Sequence, residues 1–212
     1  MDYYKYGETE LKYLKSKCDK LSAAIDRIGM IERAVLPQPF HALISSIISQ
    51  QISTKAADTV KTRLQKLIGD ISAENILNAS HESIQSCGMS NRKVTYIKGI
   101  AEAAHSGVVD FDKLHELSKD EIIKKLTALN GIGVWTVEML LIFSLSRPDV
   151  ISYGDLGIRN GMMHLYGLES LSKKEFEVYR KRFMPYNTVA SLYFWALARE
   201  ASFNESKKPP EK

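Results

Sequence analysis

Two glycines, Gly131 and Gly133, stand two residues apart in Leu129-Asn130-Gly131-Ile132-Gly133-Val134-Trp135-Thr136, between two helical patterns. Such glycines make a tight turn and let another backbone approach closely. A helix starting near Val134 would add unpaired N–H groups and the positive end of its dipole, so the turn could cradle one phosphate. The same spacing also builds an ordinary αα-hairpin, since a single Gly-x-Gly is weakly specific. Further on stands Tyr153-Gly154-Asp155-Leu156-Gly157-Ile158-Arg159, with Asp155 where a helix through His164 would begin. Its default role there is to cap that helix. A capping carboxylate also accepts backbone hydrogen bonds and feels the dipole, both of which favour its ionised form. It could then stabilise a developing positive charge, or orient a water.

The elements that must hold these groups read as helices. Leu11, Leu14, Cys18, Leu21, Ala24, Ile25 and Ile28 recur at steps of three and four, which predicts one amphipathic first helix. Gly29 interrupts it, and Pro37 and Pro39 mark a break. Beyond Ser49-Gln50-Gln51 a second pattern runs through Ala56, Val60, Leu64 and Leu67 and ends at Gly69-Asp70. Ser72 to Cys87 predicts two short helices, Asn91 to His105 one more, and Ser118-Lys119-Asp120-Glu121 is a capping box opening the helix before the glycine turn. Met139 to Phe143 is apolar nearly all round, which implies burial. Val108-Val109 is the best β-branched pair and is too short to argue a sheet. The expected fold class is all-α, with roughly ten short helices. The charged tail from Glu205 to Lys212 is expected to be mobile.

Composition narrows the function classes. With 212 residues and 44% hydrophobic content the chain can bury a sizeable core, and it is not a disordered composition. Two cysteines, Cys18 and Cys87, cannot form a disulfide framework, a four-cysteine zinc site or a four-cysteine iron–sulfur cluster. Charged residues from Asp2 to Lys12 leave no signal-peptide core, and no apolar run would span a bilayer, so an intracellular, unsecreted protein with no membrane partner is expected. Lys+Arg 29 against Asp+Glu 25 gives a charge of +4, compatible with a polyanion and insufficient to name one.

Five segments in order carry a resemblance. Leu129 to Thr136 resembles a helix-hairpin-helix, and Gly154-Asp155-Leu156-Gly157-Ile158-Arg159 resembles the glycine/proline-rich loop with its aspartate. Ile47-Ile48-Ser49-Gln50-Gln51-Ile52-Ser53 resembles a DNA-penetrating loop, and Gly88-Met89-Ser90-Asn91-Arg92-Lys93-Val94 resembles a G-x-S-x-x-K-A stretch. The run from Met184 to Trp195 resembles a W-x-P-x-R-S-x-A-x-x-x-x-W helix. Together they resemble the helix-hairpin-helix (HhH-GPD) DNA glycosylases, in the 3-methyladenine glycosylase II branch without the N-terminal β domain of longer bacterial members. The match runs from about Asp26 to Trp195. Gly154, Asn187, Met139 and Gln51 depart from residues common at those places in relatives.

The resemblance implies a two-lobed helical fold, one lobe of about residues 1–36 plus 146–212 and the other about 37–145, with the hairpin near 119–145. It implies a monomeric, monofunctional enzyme of base excision repair that flips a damaged base out of double-stranded DNA. Its substrates would be alkylated purines of the 3-methyladenine and 7-methylguanine type, cut at the N-glycosidic bond to leave an abasic site. Position by position, Asp155 falls at the catalytic carboxylate, and Trp135, Trp195 and Met139 fall at base-pocket places. Gly131 and Gly133 fall at the hairpin that holds a phosphate, and Gln51 at the wedge that fills the gap left by the base. The basic residues expected to grip the backbone are Lys55, Arg92, Lys93 and Arg159, each of which also reads as a solvated surface charge. Backbone carbonyls of Thr127, Leu129 and Gly131 would hold a sodium or potassium ion; no other cofactor is implied, and no iron–sulfur cluster. Expected locations are the cytoplasm and nucleoid, or a nucleus. Where lyase relatives carry a nucleophilic lysine this chain has Trp135, which cannot form a Schiff base. A bifunctional 8-oxoguanine-type glycosylase/lyase and a non-catalytic DNA-binding module are the competing readings.

Overall fold

Pro37 sits where the chain leaves one compact unit for another. Residues up to Val35 join those from Ser146 onward in the first unit, and Leu36–Leu145 form the second. The computed structural model describes residues 2–206, with side chains through Ser202; it contains twelve α-helices, one 3-10 turn and a single two-stranded ribbon. The fold is all-α and two-lobed. Residues 207–212 of the charged tail lie outside the described residues. No described helix is long and apolar enough to cross a membrane.

In the first unit the predicted single opening helix is two, α1 (Glu8–Lys17) and α2 (Asp19–Ile28). Cys18 between them is extended, at φ −161° and ψ 112°, and its sulfur accepts the N–H of Leu21 at 3.5 Å as the cap of α2. The apolar stripe runs on through Leu14, Leu21 and Ile25, all buried, so periodicity alone does not register a one-residue break. Strands β1 (Asp2–Tyr3) and β2 (Ala34–Val35) pair antiparallel, Asp2 opposite Val35. Val108-Val109 makes no strand: the N–H of Val109 bonds the carbonyl of Ala103, in a helix of the second unit.

Three more helices complete the first unit, α10 (Leu156–Tyr166), α11 (Lys173–Phe183) and α12 (Asn187–Ser206). Helices α10 and α12 pack most closely. At Gly161 a Cβ would lie 1.8 Å from the carbonyl oxygen of Phe194, so only a hydrogen fits at that crossing. Ile158, Met162, Phe176, Phe183, Tyr193 and Phe194 form the core around it. Burying each such side chain is worth about 1.5–3 kcal/mol.

The second unit is a run of short helices, most of them opened by serine. These are α3 (Pro39–Ser49), α4 (Thr54–Ile68), α5 (Ala73–Asn78), α6 (His81–Ser86), α7 (Asn91–His105), α8 (Lys119–Thr127) and α9 (Val134–Phe143). Pro39 occupies the first turn of α3, where a missing N–H costs nothing. Ser53, Ser72, Ser80, Ser90 and Ser118 each accept the N–H three residues ahead, and Ser118 closes its box with Glu121. Helix α3 packs on both α7 and α9, with Leu43, Ile44, Ile47 and Ile48 fully buried.

Replacing the hydrogen at Gly161 should separate α10 from α12. Gly161→Ala is expected to lower stability by about 2 kcal/mol or more, an overpacking cost with no flexible neighbour to yield. Thermal and urea melts followed by circular dichroism check this, and an unchanged midpoint would remove the crossing from the account.

Candidate active site and nucleic-acid interface

Asp155 caps α10 as its position requires. One of its carboxylate oxygens, Oδ1, accepts the N–H of Ile158 at 2.9 Å, and the residue is 8% exposed. The same Oδ1 accepts the indole Nε1–H of Trp195 at 2.9 Å. Two donors on one oxygen fix the plane of the carboxyl group. Room for the indole comes from Gly157, where a Cβ would fall 2.9 Å from Cδ1 of Trp195 and 3.2 Å from Oδ1 itself. Trp195 is thus a hydrogen-bond partner of the carboxylate, a contact that its expected base-pocket place did not specify.

The strand of chain leading to Asp155 is held by polar residues at the start of α12. Thr188 Oγ1 donates to the carbonyl of Arg147 at 2.6 Å and accepts the N–H of Val150 at 3.1 Å. Ser191 Oγ lies 3.3 Å from the carbonyl of Val150, and Asn187 Nδ2 donates to the Asp149 carboxylate and, at 3.0 Å, to the carbonyl of Arg180. All three side chains are fully buried. Asn187, a departure from the expected arginine, is a structural brace. Arg159, expected to grip DNA, stacks over the ring of Tyr153 at 5.1 Å, with its Nε buried. Stacking commits its flat guanidinium face to the protein.

The second unit gathers the hairpin, the Gln50-Gln51 loop and the start of α7 around a pocket of about 600 Å3, whose lining includes Ser46, Gln51, Ser90, Arg92, Gly131 and Trp135. Gly131 has φ +85°, and a Cβ there would meet the Tyr96 ring at 2.3 Å, so both its backbone and its neighbour demand glycine. Gly133 is different. Its φ is −97°, a Cβ would meet nothing within 4 Å, and it stands at the start of α9 with no side-chain cap. Glycine is at home at such a helix start, and without a Cβ it leaves the first N–H groups of α9 open to approach. Trp135, in the first turn of α9, is 44% exposed, while Met139 is half-buried and lies outside the pocket lining. Their spacing of four puts both on one helix face.

Gln51 has φ +56°, left-handed backbone that a non-glycine residue seldom adopts, and its side chain is exposed. Gln50 beside it points inward, its Nε2 donating to the carbonyl of Gly131 at 3.2 Å. The basic residues divide. Arg92 is exposed on the pocket wall, its Nε donating to the Tyr96 hydroxyl and its guanidinium 5.5 Å from that ring. Lys55 stands away from this pocket, on an exposed face of α4 beside Thr59, Arg63 and Lys66. Lys93 is more enclosed than Arg92 or Lys55. Its ammonium donates to the carbonyls of Ile48 at 2.8 Å and Gln50 at 2.7 Å, and burial pulls its pKa below the ordinary lysine value. The same side chain lines the pocket, and its ammonium keeps one donor beyond those two carbonyls. Sequence reasoning missed Gln50, Tyr96, Gly157 and Gly161. Only Gly157 had a signal, as an unexplained glycine in the Asp155 segment.

Residues 44–185 match the profile of the HhH-GPD superfamily of base excision DNA repair proteins. The chain belongs to that superfamily. Among HhH-GPD proteins it is 36% identical over 177 residues to DNA-3-methyladenine glycosylase 1 of Schizosaccharomyces pombe, covering 81% of this chain and 78% of that one. It is similar in structure to a DNA-3-methyladenine glycosidase of Bacillus halodurans, with a TM-score of 0.86, 38% identity, and 97% and 95% of the two chains covered. It is also similar to the S. pombe 3-methyladenine DNA glycosylase solved with abasic DNA, at a TM-score of 0.77 and 33% identity over 89% and 95% of the chains.

The two hairpin glycines should separate in their effects on folding. Gly131→Ala is expected to cost about 1–3 kcal/mol, from strain at positive φ and from the Tyr96 ring. Gly133→Ala should stay within about 1 kcal/mol of the parent, the difference between these residues at a helix start. Chemical denaturation measures both, and equal losses would contradict the geometry.

Proposed function

We propose that this protein is a monofunctional DNA glycosylase that hydrolyses the N-glycosidic bond of alkylated purines in duplex DNA and leaves an abasic site. The observation that carries the reading is the Asp155 carboxylate, buried and held by Ile158 and Trp195, in a chain whose α9 opens on Trp135 instead of a lysine. Membership in the family and the names of the relatives support it.

A purine methylated at N3 or N7 carries positive charge and leaves readily. As the C1′–N bond breaks, its electron pair goes to the base, which departs neutral, and the positive charge passes to the sugar. Asp155 would stabilise that oxocarbenium-like sugar and align the water whose oxygen bonds C1′, the released proton passing to the carboxylate or to solvent. The exposed face of Trp135 suits a cationic ring. Trp195 keeps the carboxyl group in one orientation, and Met139 adds an apolar surface on the helix that carries Trp135.

DNA is the partner in this reading. The uncapped start of α9 and the bare Gly133 would take one phosphate on backbone N–H groups. Arg92 adds charge to that face, Lys55 to the α4 face, and Arg159 packing beside Asp155; Gln51 would fill the base stack. The carbonyls of Thr127, Leu129 and Gly131 suit a monovalent cation. They are hard oxygen donors at the negative end of α8, and each bond already made, Ile132 N–H to Leu129 and Gln50 to Gly131, leaves a lone pair. Such an ion would stiffen the hairpin and add positive charge beside the phosphate. The reading needs no redox group, a single copy of the chain suffices, and its place is wherever the cell keeps its DNA.

Asp155→Asn is expected to lower the rate of base release from 7-methylguanine duplex by about 100-fold or more while duplex binding persists. Alkali cleavage at the abasic sites reads the rate. Retained activity would overturn the assignment, and a covalent adduct trapped by borohydride would favour the lyase alternative instead.

A further inference from the structure

Helix α7 underlies two features that act on DNA in the proposed function, and it does so with residues three apart. Lys93 reaches the carbonyls of Ile48 and Gln50, on either side of the end of α3, and so ties down the base of the loop that carries Gln51. Tyr96, on the same face of α7, lies under Gly131, and Gln50 spans from the loop to the Gly131 carbonyl. The loop it restrains holds a left-handed, non-glycine Gln51, a conformation that persists only when its surroundings over-determine it. Lysine elsewhere in α7 does comparable structural work: Lys98 donates to the carbonyls of Ile76, Leu77 and Ala79 at the end of α5.

We propose that Lys93 is a positioning residue for base flipping: through two backbone carbonyls it holds Gln51 poised for insertion at a fixed distance from the hairpin. Lys93 itself touches neither base nor phosphate. The inference rests on the glycosylase reading and assigns to one half-buried lysine the geometry of the wedge. Loss of that hold costs the enzyme only when a base must be taken out of a stacked duplex, because a lesion in single-stranded DNA needs no wedge.

Lys93→Met keeps the aliphatic stem and removes the donors. Single-turnover release of 7-methylguanine is expected to slow about tenfold or more in duplex and less than about twofold in a single strand of the same sequence. The slope of duplex affinity against salt should not change, whereas a lysine that neutralised a phosphate would remove about one unit from it. Gln51→Ala should slow the duplex reaction alike, and adding Lys93→Met to it should cost less than about twofold more, since both act on one step. Equal losses on both substrates, a flatter salt slope, or fully additive losses would each overturn the proposal. Lys93→Arg, which retains donors, carries the test if the methionine variant does not fold. It should keep the duplex rate within about threefold, and a tenfold loss on both substrates would count against the proposal. Amide exchange at residues 50–53 reads the hold itself. It should quicken by about tenfold or more in Lys93→Met, and unchanged exchange would overturn the proposal even if the parent protein released no base from either substrate.

Discussion

The contact between α10 and α12 over Gly161 sets the position of the carboxylate. Because the carbonyl of Phe194 occupies the space a side chain would need, the two helices lie closer than side-chain packing alone allows. One turn earlier, Gly157 leaves room for the ring of Trp195, and the indole reaches Oδ1 of Asp155. Helix α12 therefore acts twice on the same site. Its first turn clamps residues 147–150 through Thr188, Ser191 and Asn187, and its third presents Trp195. A carboxyl group at the mouth of a helix would otherwise turn about its own bonds; here its orientation is a property of helix packing.

The second unit solves a related problem with longer side chains. The hairpin and the Gln51 loop are both irregular backbone, and irregular backbone keeps its shape only when its polar groups find partners. Helix α7 supplies several of them from below. Lys93 takes two carbonyls, Tyr96 fills the hollow under Gly131, and Gln50 joins the loop to the turn. Half-buried donors and one ring thus stand where a strand ladder would stand in a β protein.

Much of this was legible in the sequence. Serine caps, the Ser118 box, the glycine stops and the alternation of apolar residues define most helices, because each depends on neighbours a few residues away. The cap at Asp155 followed from the same local logic. The break at Cys18 did not, since one extended residue leaves the apolar stripe in phase on both sides. The partners of Lys93 were hidden for a different reason. A lysine beside an arginine at a helix start looks like a surface charge, and only the positions of Ile48 and Gln50, more than forty residues away in sequence, show where its ammonium goes. Partners that distant leave no periodic trace.

The start of α9 presents its donors from the main chain, with no side chain in attendance. Peptide N–H groups are indifferent to which residue bears them. Alanine in place of Ile132, Val134, Trp135 or Thr136 would leave those donors where they are, so whatever such changes cost reports the side chains and not the N–H groups of the turn. Only a change to the chain itself registers, such as a proline that deletes an N–H or a side chain at 133 that fills the approach. Such an array of donors tolerates drift in the neighbouring side chains, since it depends on the main chain alone.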